Sequence, residues 1–586
     1  MKVFRQLCYL FPSKQRWMFF GLFLLQLIET CLDFFGISMI LPFVNIIING
    51  GDQQGSAWYT LIHSIVGSSD VKTVLLFFTL LLIAVYVIKN LFALFLMNLR
   101  IKFVNTNLVK MSTKMITCYM HKPYTFHLQR NTAEIIRNIN GDVNGAFSVI
   151  STIFSLISDV LIVGVLAVYL MAVDVVLTLS ILGALAICSA LYFLVVLVKI
   201  REAGAESRRI AAKRYKAIHQ ALGGIKEVKV MGKEHFFTEV YKEVGLESVQ
   251  IARRCKLMAA IPARLLETLC MGTILGVLAV KIMMGADLAA VIPGLSAFAV
   301  AAIKLMPKAN AINGCINSIN FNLPSLEALC EDLKESEAEE AARLAELEEK
   351  RKLHHNVSYG HEKDIFVRDV TFTYPDKTAP VLDHVSLTIE HGQSVGIVGV
   401  TGAGKTTLVD LILGLLKPDS GSICYGEQDI QLDYSAWLKH IGYIPQNIYM
   451  VDDTIRRNIA LGVEDEAIDE AAVWRALENA QLADFVRSLE EGLDTVIGER
   501  GVRISGGQRQ RIGIARALYY DPEILFFDEA TSSLDNETEA ALMESVTKLG
   551  NQKTMIIVAH RLTTLRGCDK IYKVEESGVK ETELKL

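Results

Sequence analysis

The feature that most restricts how this chain can fold is a set of six long apolar stretches, at about 17–48, 71–99, 147–173, 175–199, 257–284 and 288–307. A helix crossing a bilayer needs about 20 mostly apolar residues, because lipid leaves its backbone polar groups no other partners. All six stretches reach that length. The third and fourth are separated only around Asp174, and the sixth fades into an Asn-rich stretch. Beyond about residue 325 the pattern changes to that of a water-soluble α/β domain. Hydrophobic residues make up 51% of the 586 and charged residues still reach 21%, which fits a chain divided between lipid and water.

Lys and Arg set the orientation. Lys2, Arg5, Lys14 and Arg16 precede the first stretch. A run from Arg100 to Arg137 follows the second, and another from Lys199 to Lys256 follows the fourth. The alternate loops (50–70, around 174, 285–287) carry Asp52, Asp70, Asp174 and Asp287 and no Lys or Arg. Both termini are therefore expected in the cytoplasm, with the chain in the cell (inner) membrane. Met1–Trp17 is basic and mildly amphipathic, and the apolar run after it is too long for a signal peptide's core, so an interfacial helix is expected there. A net charge of −5 gives no reason to expect nucleic acid as a partner. The ten cysteines contain no C-x-x-C pair and read as spectator thiols.

The cytoplasmic stretches 100–146 and 200–256 have a helical pattern, so the spans are expected to continue beyond the bilayer. Each contains a break that can turn the chain, Lys122-Pro123-Tyr124-Thr125-Phe126 and Leu222-Gly223-Gly224-Ile225-Lys226. Residues 327–353 are rich in Glu, Ala, Arg and Lys and read as a solvated helical linker.

In the soluble half an apolar strand, 394–398, runs into Gly399-Val400-Thr401-Gly402-Ala403-Gly404-Lys405-Thr406 and then into a helical pattern from Thr407. This is G-x-x-x-x-G-K-[S/T] in the strand–loop–helix setting that its chemistry requires. Gly399, Gly402 and Gly404 let backbone N–H groups close around phosphates at a helix N-terminus. Lys405 reaches the β- and γ-phosphates of ATP, and the Thr406 hydroxyl ligates Mg²⁺. Thr407 opens the helix beside it and is counted with the nucleotide-binding residues. Downstream, the apolar strand Ile524-Leu525-Phe526-Phe527 ends in Asp528 and Glu529. Asp528 suits Mg²⁺, directly or through water, and Glu529 is placed to polarise an attacking water.

Ile504-Ser505-Gly506-Gly507-Gln508, ahead of a basic amphipathic helix, resembles the signature of ABC ATPases, usually L-S-G-G-Q, with Ile504 in the Leu place. The resemblance spans about 365–565. It implies that Tyr374 stacks on adenine, Gln446 senses Mg²⁺ and contacts the membrane domain, Asp535 belongs to the D-loop, and His560 contacts the γ-phosphate. Gly498-Glu499-Arg500-Gly501 resembles the cross-domain loop of exporters. In that family Ser505, Gly506, Gly507 and Gln508 close on the nucleotide of a second ATPase domain, so a homodimer is implied, with a heterodimer as the alternative. The two cytoplasmic breaks fall where such exporters carry coupling helices.

The expected fold is thus multidomain: an all-α six-helix transmembrane domain (1–326), a charged helical linker (327–355) and an α/β P-loop nucleotide-binding domain (356–586). Six spans exclude a non-transport ABC ATPase. A peptide exporter with a fused protease is disfavoured, because no extra domain precedes residue 17.

Cargo is less directly encoded. Gln26, Glu29 and Asp33 share one face of the first span. Lys89 lies in the inner part of the second, and Lys304 and Lys308 are one turn apart on the sixth. Two readings stand: acid–base pairs that lock helices together, or a cationic surface for an anionic headgroup. Asn310, Asn313, Asn317 and Asn320 form a stripe roughly opposite the two lysines, and only one of these faces can line a path. The phrases at 36–43, 224–234 and 304–307 resemble bacterial lipid-linked oligosaccharide flippases. That resemblance implies a polyprenyl-diphosphate glycan as substrate, in contact with membrane lipid, with Lys89, Lys304 and Lys308 on its diphosphate. A multidrug or lipid exporter is the alternative.

Overall fold

A computed structural model describes residues 2–39, 43, 71–173, 175–283, 288–353, 363–529, 553–559, 565 and 567–582. The chain divides into two compact units, one made of Met1–Lys122 and Arg130–Glu339, the other of Pro123–Gln129 and Glu340–Leu586.

The first unit is helical. A short amphipathic helix, α1 (Lys2–Leu10), buries Leu7 and Leu10. Long helices follow: α2 (Ser13–Ser38) and α3 (Val71–Met120). Stretches Ser13–Gly36, Leu75–Met120 and Thr132–Val168 are long and apolar enough to cross a membrane. Their outward faces are apolar too, with Leu76, Leu80, Leu91 and Leu94 exposed, as expected where the solvent is lipid.

At 50 residues α3 is about 75 Å long, more than twice the hydrocarbon thickness, so it does continue beyond the bilayer. It ends before Pro123, where a ring in place of a backbone N–H favours a break. The six-residue α4 (Tyr124–Gln129) follows and belongs to the second unit. The chain returns through α5 (Thr132–Arg137), capped by Asn131, and a π-helical turn at Asn138–Asp142 into α6 (Val143–Val173). Then come α7 (Val175–Gly223), the short α8 (Ile225–Val230), α9 (Glu234–Met283) and α10 (Leu288–Leu353). The second break thus holds a helical turn as well, flanked by Gly224 and Gly232.

Two glycines set helix spacing. A Cβ on Gly204 of α7 would lie 2.0 Å from the Phe321 carbonyl oxygen on α10. One on Gly145 of α6 would lie 2.7 Å from Ser325 Cβ, so α10 packs backbone-close on α7 and presses its Ser325 side chain against α6. The expected solvated linker is corrected in part. It is a continuation of α10, and Leu329, Cys330 and Leu333 at its start are buried core, because they share the inward stripe that begins with Leu326.

In the second unit, an antiparallel sheet of order β2-β1-β4-β5 combines β1 (Ile365–Phe372), β2 (Leu382–Ile389), β4 (Ser420–Tyr425) and β5 (Gln428–Asp429). The other sheet, of order β10-β9-β3-β8-β7-β6, contains β3 (Ser394–Val398), β6 (Ile441–Ile444), β7 (Ile524–Asp528), β8 (Thr554–Val558), β9 (Lys570–Glu575) and β10 (Gly578–Thr582). Its β9-β3-β8-β7-β6 portion is parallel, and β7 and β8 are buried throughout, as a sheet covered on both faces requires. Helix α11 (Lys405–Ile412) follows β3. The loop after β3 and the carboxylates after β7 therefore meet at the carboxyl edge of one sheet, where open α/β sheets bind ligands.

Candidate functional site

The phosphate loop is built from backbone conformations that only glycine adopts without strain. Gly402 has φ 84° and Gly404 φ 105°, the latter as the left-handed cap of α11. Lys405 is buried and its Nζ donates to the carbonyls of Gly399 (2.9 Å) and Val400 (3.2 Å). The ammonium is thus folded back over its own loop, ready to exchange two carbonyls for phosphate oxygens. Thr407 shares a 3.2 Å hydrogen bond with the Tyr374 hydroxyl, and Phe372 packs edge-on against the Tyr374 ring. The expected adenine-stacking tyrosine is therefore joined to the phosphate-binding helix.

Asp528 is buried and accepts a 3.3 Å hydrogen bond from the Tyr443 hydroxyl. Burial, and after it the neighbouring Glu529, raise its carboxyl above the usual range. Glu529 sits in the left-handed region at φ 52°, a strain of the kind that collects at functional sites. Its Oε2 accepts a 2.5 Å hydrogen bond from Gln446 Nε2. Gln446 and Glu529, which lie 83 residues apart, are thus clasped together.

The chemistry of this donor set fits a magnesium nucleotide. A glycine-lined loop at a helix N-terminus and a buried lysine suit phosphate, and Thr406 with Asp528 would hold Mg²⁺, which would screen phosphate charge. Glu529, just past the end of β7, would then be the carboxylate to orient a water. Ser505 accepts a hydrogen bond from the Gln508 N–H (3.2 Å) while Gln508 Oε1 accepts from the Ser505 N–H (2.8 Å). This reciprocal capping box starts the helix α12 (Gly506–Leu518) and fixes the signature segment. Asp535 and His560 lie outside the described residues.

Three residues at this site escape the sequence reading. Tyr443 bonds to Asp528. Asp410, four residues after Thr406 on α11, is buried and pushed up to about 6 by burial and then by Asp528. Tyr124 of α4 has its phenol raised by burial and by Asp410 and Tyr374, which places this turn within the ATPase unit, beside the nucleotide-binding residues.

In the helical unit Lys89 and Lys308 are both ion-paired, to Asp33 (2.6 Å) and Asp159 (2.7 Å). Of the two readings of the lysines, pairing is the arrangement present. The Lys304 side chain lies outside the described residues. The Asn stripe turns inward: Asn313 and Asn317 are buried, and Asn317 donates to the Tyr192 hydroxyl of α7. Asp159 escapes the sequence reading, although a lone acid in an apolar run signals a function or a partner.

Comparison with known proteins agrees with this geometry. Residues 19–291 match the ABC transporter transmembrane region, and residues 382–532 match the ABC transporter family. The chain is 30% identical over 482 residues to the ATP-dependent lipid A-core flippase of Cupriavidus metallidurans, covering 81% of this chain and 79% of that one. This chain belongs to the ABC transporters. It is a half-transporter, with one helical transmembrane domain followed by one ATP-binding domain, and it is a multi-pass membrane protein. Members of the family couple ATP hydrolysis to transport.

The chain is also 42% identical to ABC transporter BEA3 of Gibberella fujikuroi over 226 residues (38% of this chain) and to the lipid A-core flippase of Vibrio cholerae over 220 residues (37% of this chain). Those matches span 17% and 38% of the relatives' own lengths. Among solved structures, a bacterial Atm1-family ABC exporter with ATP bound aligns with TM-score 0.74 at 21% identity, covering 97% of this chain and 94% of that one. The fold is therefore that of an ABC exporter.

Proposed function

We propose that this chain, as a homodimer, uses ATP and Mg²⁺ to flip a lipid with an anionic, phosphate-linked sugar headgroup, in particular a polyprenyl-diphosphate glycan. The observation that carries this reading is the set of charged side chains on four membrane helices: Asp33 on α2, Lys89 on α3, Asp159 on α6 and Lys308 on α10. Charges are costly in hydrocarbon and either pair or line a path; the part-exposed Lys308 in its pair with Asp159 favours a path for an anion over the aromatic cavity of a multidrug exporter. The relatives named lipid A-core flippases support a lipid cargo.

In this reading the termini and the ATPase are cytoplasmic, Tyr374 stacks on adenine, and Gln446 must release Glu529 before Glu529 can orient water. The signature of Ser505 to Gln508 closes on the partner's nucleotide, with Asp535 and His560 completing the site. A second chain also answers for the apolar surface at the α8 turn, where Leu222, Val230, Met231 and Phe236 are exposed.

The test uses proteoliposomes. ATP-dependent flipping of a polyprenyl-diphosphate sugar should be abolished by Glu529→Gln and reduced at least tenfold by Lys304→Ala with Lys308→Ala, roughly one lost charge-assisted contact. Unchanged flipping in the lysine variant would refute the headgroup assignment. Stimulation by neutral amphiphiles alone would favour the multidrug reading.

A further inference from the structure

Four helices bring six charged side chains into one region of the membrane unit. Glu29 and Asp33 come from α2, Lys89 and Arg100 from α3, Asp159 from α6 and Lys308 from α10. Asp33 holds Lys89, and Asp159 holds Lys308. Glu29 accepts a 2.5 Å hydrogen bond from Gln26 Nε2 and lies within electrostatic reach of Arg100, Asp33 and Lys308. Three carboxylates thus face three cations among the described residues.

The two ion pairs are not equivalent. Both members of Asp33–Lys89 are mostly covered, whereas the Lys308 side chain is 38% exposed beside an Asp159 only 10% exposed. Of the two paired lysines among the described residues, Lys308 is therefore the one more open to an arriving anion. Next to it, Gln26 is 1% exposed and donates to Ser158, the neighbour of Asp159, while its Oε1 has no hydrogen-bond partner among the described residues. A buried acceptor left unmatched is unfavourable, so it marks a place where a donor belongs.

We infer that Asp159 is a built-in counter-ion that makes the site selective for phosphate-linked headgroups carrying hydroxyl donors. This rests on the reading that the chain flips anionic lipids. A phosphate reaches Lys308 only by displacing the Asp159 carboxylate. The freed carboxylate then stands in a poorly solvated place beside a new anion, which is unfavourable unless donors meet it. A bare diphosphate, mostly ionised near neutral pH, has few such donors to give. A sugar on the diphosphate supplies hydroxyls to Asp159 and to Gln26 Oε1 together. The cation sets affinity for phosphate, and the carboxylate rejects phosphate that comes alone.

The experiment reconstitutes the full chain in nanodiscs and titrates ATPase stimulation with undecaprenyl diphosphate and with undecaprenyl-diphosphate N-acetylglucosamine. In the wild type, the sugar-bearing lipid should act at a concentration about tenfold lower than the bare diphosphate, as one satisfied carboxylate implies. Asp159→Asn should improve the bare diphosphate about tenfold and reduce the discrimination to under about twofold, since Lys308 is then unmasked. Asp159→Glu should retain discrimination, and Lys308→Ala should weaken both lipids. Equal response of the wild type to both lipids overturns the counter-ion assignment, and needs no variant to fold. So does an Asp159→Asn variant that weakens both lipids as Lys308→Ala does. Both outcomes leave the anionic-lipid reading standing. A wild type that responds to neither lipid overturns that reading, and the assignment with it.

Discussion

Asp142 in the π-helical turn ahead of α6 is a buried charge, and replacing it should cost more than breaking a surface ion pair does. Its side chain is 3% exposed. Arg208 Nε on α7 donates to both of its oxygens, at 2.8 and 3.0 Å, and Arg137 NH2 lies 3.7 Å away. Beside it, Tyr119 donates to Asp332 (2.8 Å), while Asn138 donates to both the Tyr119 hydroxyl (2.8 Å) and Asp332 (3.0 Å). This network binds α3, the π turn, α7 and α10 together. Asp142→Asn would leave Arg208 and Arg137 facing each other with only Glu134 and Asp332 nearby to balance them. Breaking a buried pair from one side costs about 3–5 kcal/mol, and the partial exposure of Arg208 argues for the lower end. At about 2 °C or less per kcal/mol for a protein this large, thermal unfolding of the full chain in detergent should fall by roughly 5 °C. Arg208→Gln should cost less, because Arg137 remains to pair Asp142. The double variant should be less destabilised than the sum of the two, by at least about 1 kcal/mol. Additive single effects, or an Asp142→Asn shift under about 1 °C, would refute the assignment of this cluster as one coupled buried network.

Two further outcomes follow from packing and charge. Gly204→Ala should destabilise by about 1–3 kcal/mol or more, because its methyl meets the Phe321 carbonyl and α7 must move off α10. Gly245→Ala on α9, with nothing within 4 Å, should be neutral or mildly stabilising, and equal thermal shifts for the two would contradict the close crossing. At Asp410 the carboxyl is raised from 3.8 to about 6 in the fold, so the wild type loses stability as pH climbs through that interval. In the nucleotide-free protein Asp410→Asn should therefore be more stable at pH 7.5, by about 1–3 kcal/mol, with the gain shrinking toward pH 5. A gain that grows toward acid would show that Asp410 is held as an anion instead.

The sequence by itself determined the ATPase chemistry and the membrane class. Gly399 to Thr406, Ser505 to Gln508 and Asp528-Glu529 are contiguous, and each performs its task through local backbone conformation, so a linear reading suffices. Apolar length likewise marks membrane helices without any knowledge of their neighbours. The tertiary structure alone decided which charges neutralise which. Asp159 and Lys308 are 149 residues apart, and Gln446 and Glu529 are 83 apart. Nothing local in the chain distinguishes a paired lysine from a free one. The same holds for Gly204, an ordinary helix glycine until α10 is laid against it, and for Leu329 and Leu333, whose charged surroundings read as solvated. Helical periodicity places a side chain on a face. Only the crossing of two helices decides whether that face meets lipid, a counter-ion or core, because burial and ion pairing depend on neighbours supplied by distant parts of the chain.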